Sequence, residues 1–250
     1  GINFREKIIK MFKYYLIHNK EKYRKNHMFK LFEKYGVDLN QLKIIDYPNK
    51  DELTYKLKKQ IVQKKSYMRD GWISCSYKHY LAINDMVQNN YPYGVVMEDN
   101  IGDFYENVPL RLEKYLNELP ENWGIVYDSV WGKLTEYDEN PDQFSKLVYK
   151  KSIEHIEFPD GRVISHGGTR AAQFYFLNLK TAKKMVENFI PFNHSADMWM
   201  NTVLRRGDID TFWSEPSLVV SKLNKKSSTL FYNEKYFYRI KSKVINKILD

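Results

Sequence analysis

Short apolar runs alternate with amphipathic segments along the first half of the chain. Four of these runs predict β-strands: FKYYLIHN (12–19), LKIIDYP (42–48), GVVM (94–97) and WGIVYDSV (123–130). The segments between them carry apolar residues at helical spacing, as at 20–36, where Gly36 is placed to end a helix. Strands that alternate with helices predict an α/β domain with a mostly parallel central sheet flanked by helices.

The helix that precedes the GVVM strand is expected to begin at a serine, because Ser74 or Ser76 could cap it. After that strand, Pro109 suits the first turn of another helix. The second half predicts further elements, namely strands at 171–178 and 209–220 and helices at 181–189 and 197–207.

Two segments depart from this pattern. Residues 132–165 carry little periodicity and several acids, which indicates an insertion or a long loop. Residues 233–250 form a basic amphipathic pattern typical of a C-terminal helix. Because the chain has no internal repeat and no low-complexity linker, we expect a single domain over 1–250.

Composition narrows the class of protein. The 250 residues are 43% hydrophobic and 16% aromatic, which favours a globular protein with a sizeable core. No apolar run approaches the roughly 18 residues that span a bilayer, and the N-terminus lacks a signal-peptide pattern. The start at Gly1 leaves a removed anchor open. Cys75 is the single cysteine, which excludes an intrachain disulfide and favours the cytoplasm or another reducing compartment.

The chain is basic, with 40 Lys and Arg against 31 Asp and Glu, so its net charge is +9. This charge favours anionic partners, among them nucleic acid, a nucleotide diphosphate and an acidic membrane surface. The aromatic residues lie mostly on apolar helix faces and in strands, and no helix-turn-helix, RRM or zinc pattern occurs. Nucleic acid is therefore not the expected partner.

Glu98, Asp99 and Asn100 directly follow the apolar GVVM run. In an open α/β sheet, ligands bind outside the carboxyl ends of the strands. Oxygen-bearing side chains there can hold a hard divalent cation, and the cation can in turn bind phosphate oxygens. The alternative is an ordinary acidic loop, and the spacing alone does not decide between the two.

Three other polar segments have a structural and a functional interpretation. In 193–197 (NHSAD), Ser195 or Asp197 can cap a helix, or His194 or Asp197 can act as a base or metal ligand. Cys75 is interpreted as a small buried residue, although His79 follows four positions later as a possible partner base. The turn HGGT (166–169) matches neither the dinucleotide-binding fingerprint nor a P-loop.

Taken in order, these pieces resemble glycosyltransferase family 25, over most of residues 13–230. The family pattern has a first strand followed by a basic helix, a small-Cys-x-x-Ser-His element, a strand ending in Glu-Asp-Asp, and an Asp that opens a later helix. The corresponding segments are YLIHNKEKYR, SCSYKHYLAIND, VVMEDN and SADMWMN. WGIVYDSVWG, TRAAQFYFLNLKTAKKMV and EPSLVV match three further elements of the family.

The resemblance implies a GT-A type fold, a UDP-sugar donor and a divalent metal such as Mn²⁺. It places Glu98, Asp99 and Asn100 at the metal, with Asn100 in place of the family's third acid. It makes Asp197 the candidate catalytic base that deprotonates an acceptor hydroxyl. The candidate substrate-binding residues are Asn19, Arg24, Ser76, His79, Thr169 and His194, of which Ser76 and His79 depart in spacing from the family element.

The implied reaction is transfer of a hexose, galactose or glucose, to a hydroxyl acceptor. A lipopolysaccharide sugar, a collagen-like hydroxylysine and a sugar already attached to such a residue all stay open as acceptors, and a homodimer is possible. Two other classes of protein compete with this hypothesis. One is a family member that binds a sugar nucleotide or glycan without catalysis, which Asn100 favours, and the other is a basic nucleic-acid-binding domain.

Overall fold

The computed structural model describes residues 10–64, 66–131, 147–157 and 163–223. The strands are β1 (Phe12–Ile17), β2 (Leu42–Ile45), β3 (Tyr93–Glu98), β4 (Ile101–Phe104), β5 (Ile125–Tyr127), β6 (Val148–Lys151), β7 (Glu154–Glu157), β8 (Val163–His166), β9 (Phe174–Asn178), β10 (Thr211–Ser214) and β11 (Val219–Lys222). The helices are α1 (Lys22–Tyr35), α2 (Tyr55–Ile61), α3 (Asp70–Gln88), α4 (Val108–Glu118), α5 (Leu179–Phe189) and α6 (Ala196–Arg206). The helix predicted at 233–250 lies outside the described residues.

Seven strands form the central sheet, in the order β2-β1-β3-β9-β5-β10-β6. β1 pairs in parallel with both β2 and β3, and β5 pairs in parallel with β10. β9 runs antiparallel to its neighbours β3 and β5, and β6 runs antiparallel to β10. Five strands therefore point one way and two the other, which confirms the prediction of a mostly parallel sheet in an α/β fold.

Helices cover both faces of this sheet because side chains alternate along each strand. In β1, Tyr15 and Ile17 join the core beneath α3, α5 and α6. Phe12, Tyr14 and Leu16 join the core on the opposite face, beneath α1 and α4. The strands are apolar on both sides, as expected of strands buried between two helical layers.

The chain order defines a crevice at one edge of the sheet. After β1 the chain moves outward to β2, and it then returns past β1 to form β3 on the other side. The helix after β1 covers one face, and the long helix before β3 covers the other. The carboxyl ends of β1 and β3 therefore lie at a topological switch point, where ligands bind in open α/β sheets.

Two predicted elements differ from the structure. Helix α3 begins at Asp70, so the prediction that Ser74 or Ser76 caps it is wrong, and both serines are buried within the helix. The strand predicted at 209–220 is two strands, β10 and β11, of which β11 leaves the main sheet to pair with β4.

The segment interpreted as an insertion or long loop contains regular structure in its described part. β6 extends the central sheet, and β7 and β8 form a hairpin, so a long loop is wrong there. Residues 132–146 and 158–162 of that segment lie outside the described residues.

None of the helices in the described ranges combines the length and the apolar character that crossing a membrane requires.

Candidate functional site

The polar residues predicted from the sequence gather at the carboxyl edge of the central sheet. His18 and Asn19 follow β1, and Glu98 ends β3. Gln173 lies just before β9, and its side chain forms hydrogen bonds to residues at the ends of the two neighbouring strands. Its Nε2 donates to Asn100 Oδ1 at 2.9 Å, and its Oε1 accepts from Ser129 Oγ at 3.2 Å. The hydrogen bonds thus connect the ends of three neighbouring strands.

Asp99 is the most fully bonded residue of this edge. It is 5% exposed, and Arg24 donates to its Oδ1 at 2.6 Å. His18 Nδ1 lies 2.8 Å from Oδ2, which also accepts from the backbone N–H of Asn19 at 3.1 Å. Both carboxylate oxygens are therefore engaged inside the protein, so Asp99 ties the end of β3 to the end of β1 and to α1.

Arg24 is buried in the same cluster. Its Nε lies 2.9 Å from Glu21 Oε2, and its Nη1 bonds Asp99. Asn19 differs, because its Nδ2 is buried with no hydrogen-bond partner in the described part of the chain. A buried donor without a partner costs free energy. Asn19 is thus the better placed of the two to contact a ligand, and a direct role for Arg24 in donor binding stays a prediction.

Glu98 faces α3. Its Oε1 lies 3.2 Å from His79 Nε2 and 3.8 Å from Cys75 Sγ, and its Oε2 accepts from Asn100 Nδ2 at 2.8 Å. The other ring nitrogen of His79 lies 3.0 Å from the hydroxyl of Tyr175. His79 is fully buried, whereas the Glu98 side chain is 20% exposed. Of the two acids Glu98 and Asp99, Glu98 is therefore the one that a ligand in the crevice can reach.

The three residues predicted to hold Mn²⁺ do not fit that ion as they are arranged here. A hard cation needs several oxygen ligands, but both oxygens of Asp99 are already engaged and the Asn100 oxygen accepts from Gln173. A different set lies close together, since the ligand atoms of Cys75, His79 and Glu98 are all within 4.8 Å of one another. Sulfur and imidazole ligands suit softer ions than Mn²⁺.

Lys78 lies at the same edge of the sheet, and no pattern in the sequence predicted it as a site residue. Its Nζ donates to the carbonyl oxygen of His18 at 2.7 Å and to Asn49 Oδ1, and the residue is 2% exposed. Asn49 in turn donates from Nδ2 to the carbonyl oxygen of Asn19 at 3.0 Å. Counted from Cys75, the histidine of the small-Cys-x-x-Ser-His element falls on His79, so the expectation that His79 departs in spacing is wrong, and Lys78 occupies the serine position of that element.

Asp197 lies in the first turn of α6. Its Oδ1 accepts from Ser195 Oγ at 2.6 Å and from the backbone N–H of Met198 at 2.9 Å. Its Oδ2 has no hydrogen-bond partner among the described residues. Ser195 precedes α6, but its side chain makes no capping hydrogen bond, so the interpretation of Ser195 or Asp197 as the cap of this helix is wrong. Asp197 Oδ1 is held locally, and Oδ2 stays available for chemistry.

Cys75 lies beside Glu98 and is within electrostatic range of Asp197. Burial raises the pKa of Cys75 well above its ordinary value, and the charges of Glu98, Asp197 and Asp99 raise it further. Carboxylates act in this way only at short range inside a protein. Asp197 and Glu98 therefore both lie within electrostatic range of the Cys75 thiol, and a thiol with a raised pKa does not suit a nucleophile.

The remaining substrate-binding candidates contact the backbone of residues 194–197 or belong to that segment. Thr169 Oγ1 donates to the carbonyl oxygen of Asp197 at 3.0 Å, and Asn201 binds both the hydroxyl and the backbone N–H of Thr169. Ser76 Oγ donates to the carbonyl oxygen of His194 at 3.2 Å, while the His194 side chain is exposed. Ser76 and Thr169 therefore support the segment around Asp197, and their contact with substrate stays a prediction.

Comparison with known proteins gives the family. A family description of glycosyltransferase family 25, noted as LPS biosynthesis protein, matches residues 11–200, well over half of the chain. The chain belongs to glycosyltransferase family 25. The match covers β1, β3 and the start of α6, so Asn19, Glu98 and Asp197 all lie inside it. A comparison of this family 25 chain with curated protein sequences finds no significant match.

Solved structures of other enzymes are similar only at a distance. A CMP:2-keto-3-deoxy-manno-octonic acid synthetase complexed with CTP has a TM-score of 0.39 at 6% identity, covering 94% of the family 25 chain and 99% of its own. A glucose-1-phosphate thymidylyltransferase from Bacillus anthracis has a TM-score of 0.37 at 12% identity, covering 84% and 92%. These scores are low, so no functional conclusion rests on them.

Proposed function

We propose that this protein transfers a hexose, galactose or glucose, from a UDP-sugar to a hydroxyl group of a glycan or of a hydroxylated or glycosylated protein. The observation that carries the proposal is the position of Asp197. A family 25 chain has here a carboxylate whose Oδ1 is held by Ser195 and Met198 and whose charge, like that of Glu98, acts on Cys75, at the edge of the sheet where ligands bind.

The donor site is proposed at the carboxyl ends of β1 and β3. The unpartnered Nδ2 of Asn19 is a donor for an oxygen of the nucleotide. Glu98 is fixed by His79 and Asn100, and its exposed part can accept a hydroxyl of the donor sugar. Asp99 keeps both strand ends in place without contacting the reacting atoms.

The reaction proposed for this site is a displacement at the anomeric carbon of the donor sugar. The acceptor oxygen forms a bond to that carbon, and the bond from the carbon to the diphosphate oxygen breaks. The electron pair of the broken bond leaves with UDP. Asp197 Oδ2 takes the proton of the acceptor hydroxyl as the new bond forms, which is general base catalysis. A single displacement of this kind inverts the configuration at the anomeric carbon.

A donor screen tests the proposal. The full chain is incubated with each UDP-sugar and with acceptors bearing free hydroxyls, in buffers containing either EDTA or Mn²⁺, and UDP release is measured. We expect one UDP-hexose to give acceptor-dependent release, and Glu98→Ala and Asp197→Ala to abolish it. Full activity in both variants contradicts the site. UDP binding without turnover across all acceptors indicates a family member that binds without catalysis.

A further inference from the structure

Lys78 is a buried cation at the switch point of the sheet. Helix α3 places it against the end of β1, where its ammonium group donates to the carbonyl oxygen of His18. It also donates to the side chain of Asn49, beyond the end of β2. The residue is 2% exposed, and it uses two of its three N–H groups in these contacts.

The positive charge of Lys78 has no direct counter-charge in the described part of the chain. Both of its bonded partners are neutral oxygens, and no carboxylate there lies within ion-pair distance of its Nζ. Asp99 acts on it only from farther away, and that carboxylate is already paired with Arg24. Burial accordingly lowers the pKa of Lys78 to about 8, although the neighbouring carboxylates of Asp99 and Asp46 act to raise it. An anion bound nearby would supply the missing charge.

Two residues set the charge at these strand ends. Asn100 is a neutral amide that donates to Glu98, whereas Lys78 brings a positive charge against the end of β1. Carboxylates are anions and bind a diphosphate only through a cation, whereas the ammonium group of a lysine binds a diphosphate directly. The unpartnered Nδ2 of Asn19 provides a second donor beside the same strand end.

We infer that the Lys78 ammonium binds the diphosphate of the nucleotide-sugar donor and stabilises the charge on the leaving UDP, so that transfer proceeds without a divalent cation. This inference rests on the proposed function. It gives Lys78 the electrostatic task that a metal ion performs in metal-assisted transfer, namely stabilising charge that develops on a leaving oxygen. It also gives the chain a reason to bury a lysine that has no carboxylate partner.

The test compares ligands that differ only in phosphate. Affinities for UDP, uridine and inorganic pyrophosphate are measured by calorimetry on the full chain in EDTA, for wild type and Lys78→Met. We expect wild type to bind UDP at least about tenfold tighter than uridine, and Lys78→Met to weaken UDP binding about 10- to 100-fold. Uridine affinity should change less than about threefold, because uridine has no phosphate for Lys78 to bind. A merely structural defect would instead weaken the binding of both ligands equally.

Three variants serve as controls. Lys78→Gln keeps a polar N–H donor without the charge, and it replaces Lys78→Met if that variant does not fold. Asn49→Ala breaks the contact to Lys78 but keeps the ammonium group, so its ratio of UDP to uridine affinity should match wild type. Lys183→Met removes an exposed lysine of α5 and should change none of the affinities.

The possible outcomes separate this inference from the proposed function. It is overturned if Lys78→Met and Lys78→Gln keep the wild-type ratio of UDP to uridine affinity. It is also overturned if wild type loses its preference for UDP in EDTA and regains it with Mn²⁺, which would place the diphosphate on a metal. If pyrophosphate binding depends on Lys78 but UDP binds no better than pyrophosphate, the inference stands and the UDP donor of the proposed function is wrong.

Discussion

Replacing Asp99 by asparagine should destabilise the fold, whether or not a metal is present. The substitution keeps the size of the side chain but removes the charge that faces Arg24 at 2.6 Å, in a pair whose side chains are 4% and 8% exposed. Breaking a buried ion pair by removing one partner costs about 3–5 kcal/mol. Arg24 keeps a second carboxylate, Glu21, at 2.9 Å, so we expect the lower end of that range, about 3 kcal/mol.

The assay is urea unfolding of the full chain, followed by tryptophan fluorescence, in EDTA and again with Mn²⁺. Asp103→Asn is the matched control, because the Asp103 side chain is 41% exposed, its ion pair with Lys34 is 3.6 Å long, and an asparagine oxygen can still accept from the Tyr35 hydroxyl; it should cost at most about 1 kcal/mol. For a chain of this length, a loss of about 3 kcal/mol also lowers the melting temperature by roughly 6–12 °C. A loss below about 1 kcal/mol in EDTA would refute the structural role of Asp99.

Three further predictions concern single substitutions at the site and in the core. Asp197→Asn keeps an oxygen for Ser195 and the helix N-terminus, so we expect unchanged melting and UDP affinity but a loss of transfer rate of about 10²–10⁴-fold, measured as UDP release. Asn100→Asp replaces the amide that donates to Glu98 with a second carboxylate, so Mn²⁺ should raise the melting temperature of this variant and leave wild type unchanged. Tyr115→Phe removes the hydroxyl that donates to buried Asp128 at 2.7 Å, which should cost about 1–3 kcal/mol in urea unfolding with donor affinity preserved.

Much of the fold could be predicted because strands and helices alternate with clear periods. The segment at 12–19 contains β1, and 20–36 contains α1, which ends at Gly36 with a φ of 78°. The position of the acids was predictable for the same reason, since an apolar strand places Glu98 at its carboxyl end. By contrast, β6 lies in the segment that was predicted to be an insertion or a long loop. An edge strand of four residues is too short for an alternation of apolar and polar side chains to be recognised.

The pairing of the site residues could not be predicted from the sequence. Arg24 and Asp99 are both visible as charged residues, but they lie 75 positions apart, and only the parallel pairing of β1 with β3 brings them together. Lys78 looked like one of many solvated lysines, because its helix has apolar residues on one face and polar residues on the other. Gln173 carried no signal at all, since a single glutamine before a strand matches no motif.

Asn100 can be understood from the contacts on its two sides. Its Nδ2 donates to Glu98 Oε2, and its Oδ1 accepts from Gln173 Nε2. An acid at this position has no N–H to give to Glu98, so two carboxylates would face each other and require a cation between them. The amide meets the same need with a hydrogen bond, and it keeps Glu98 fixed with no metal present. The substitution that weakens the expected Mn²⁺ site is therefore consistent with a donor site whose charge is supplied by Lys78.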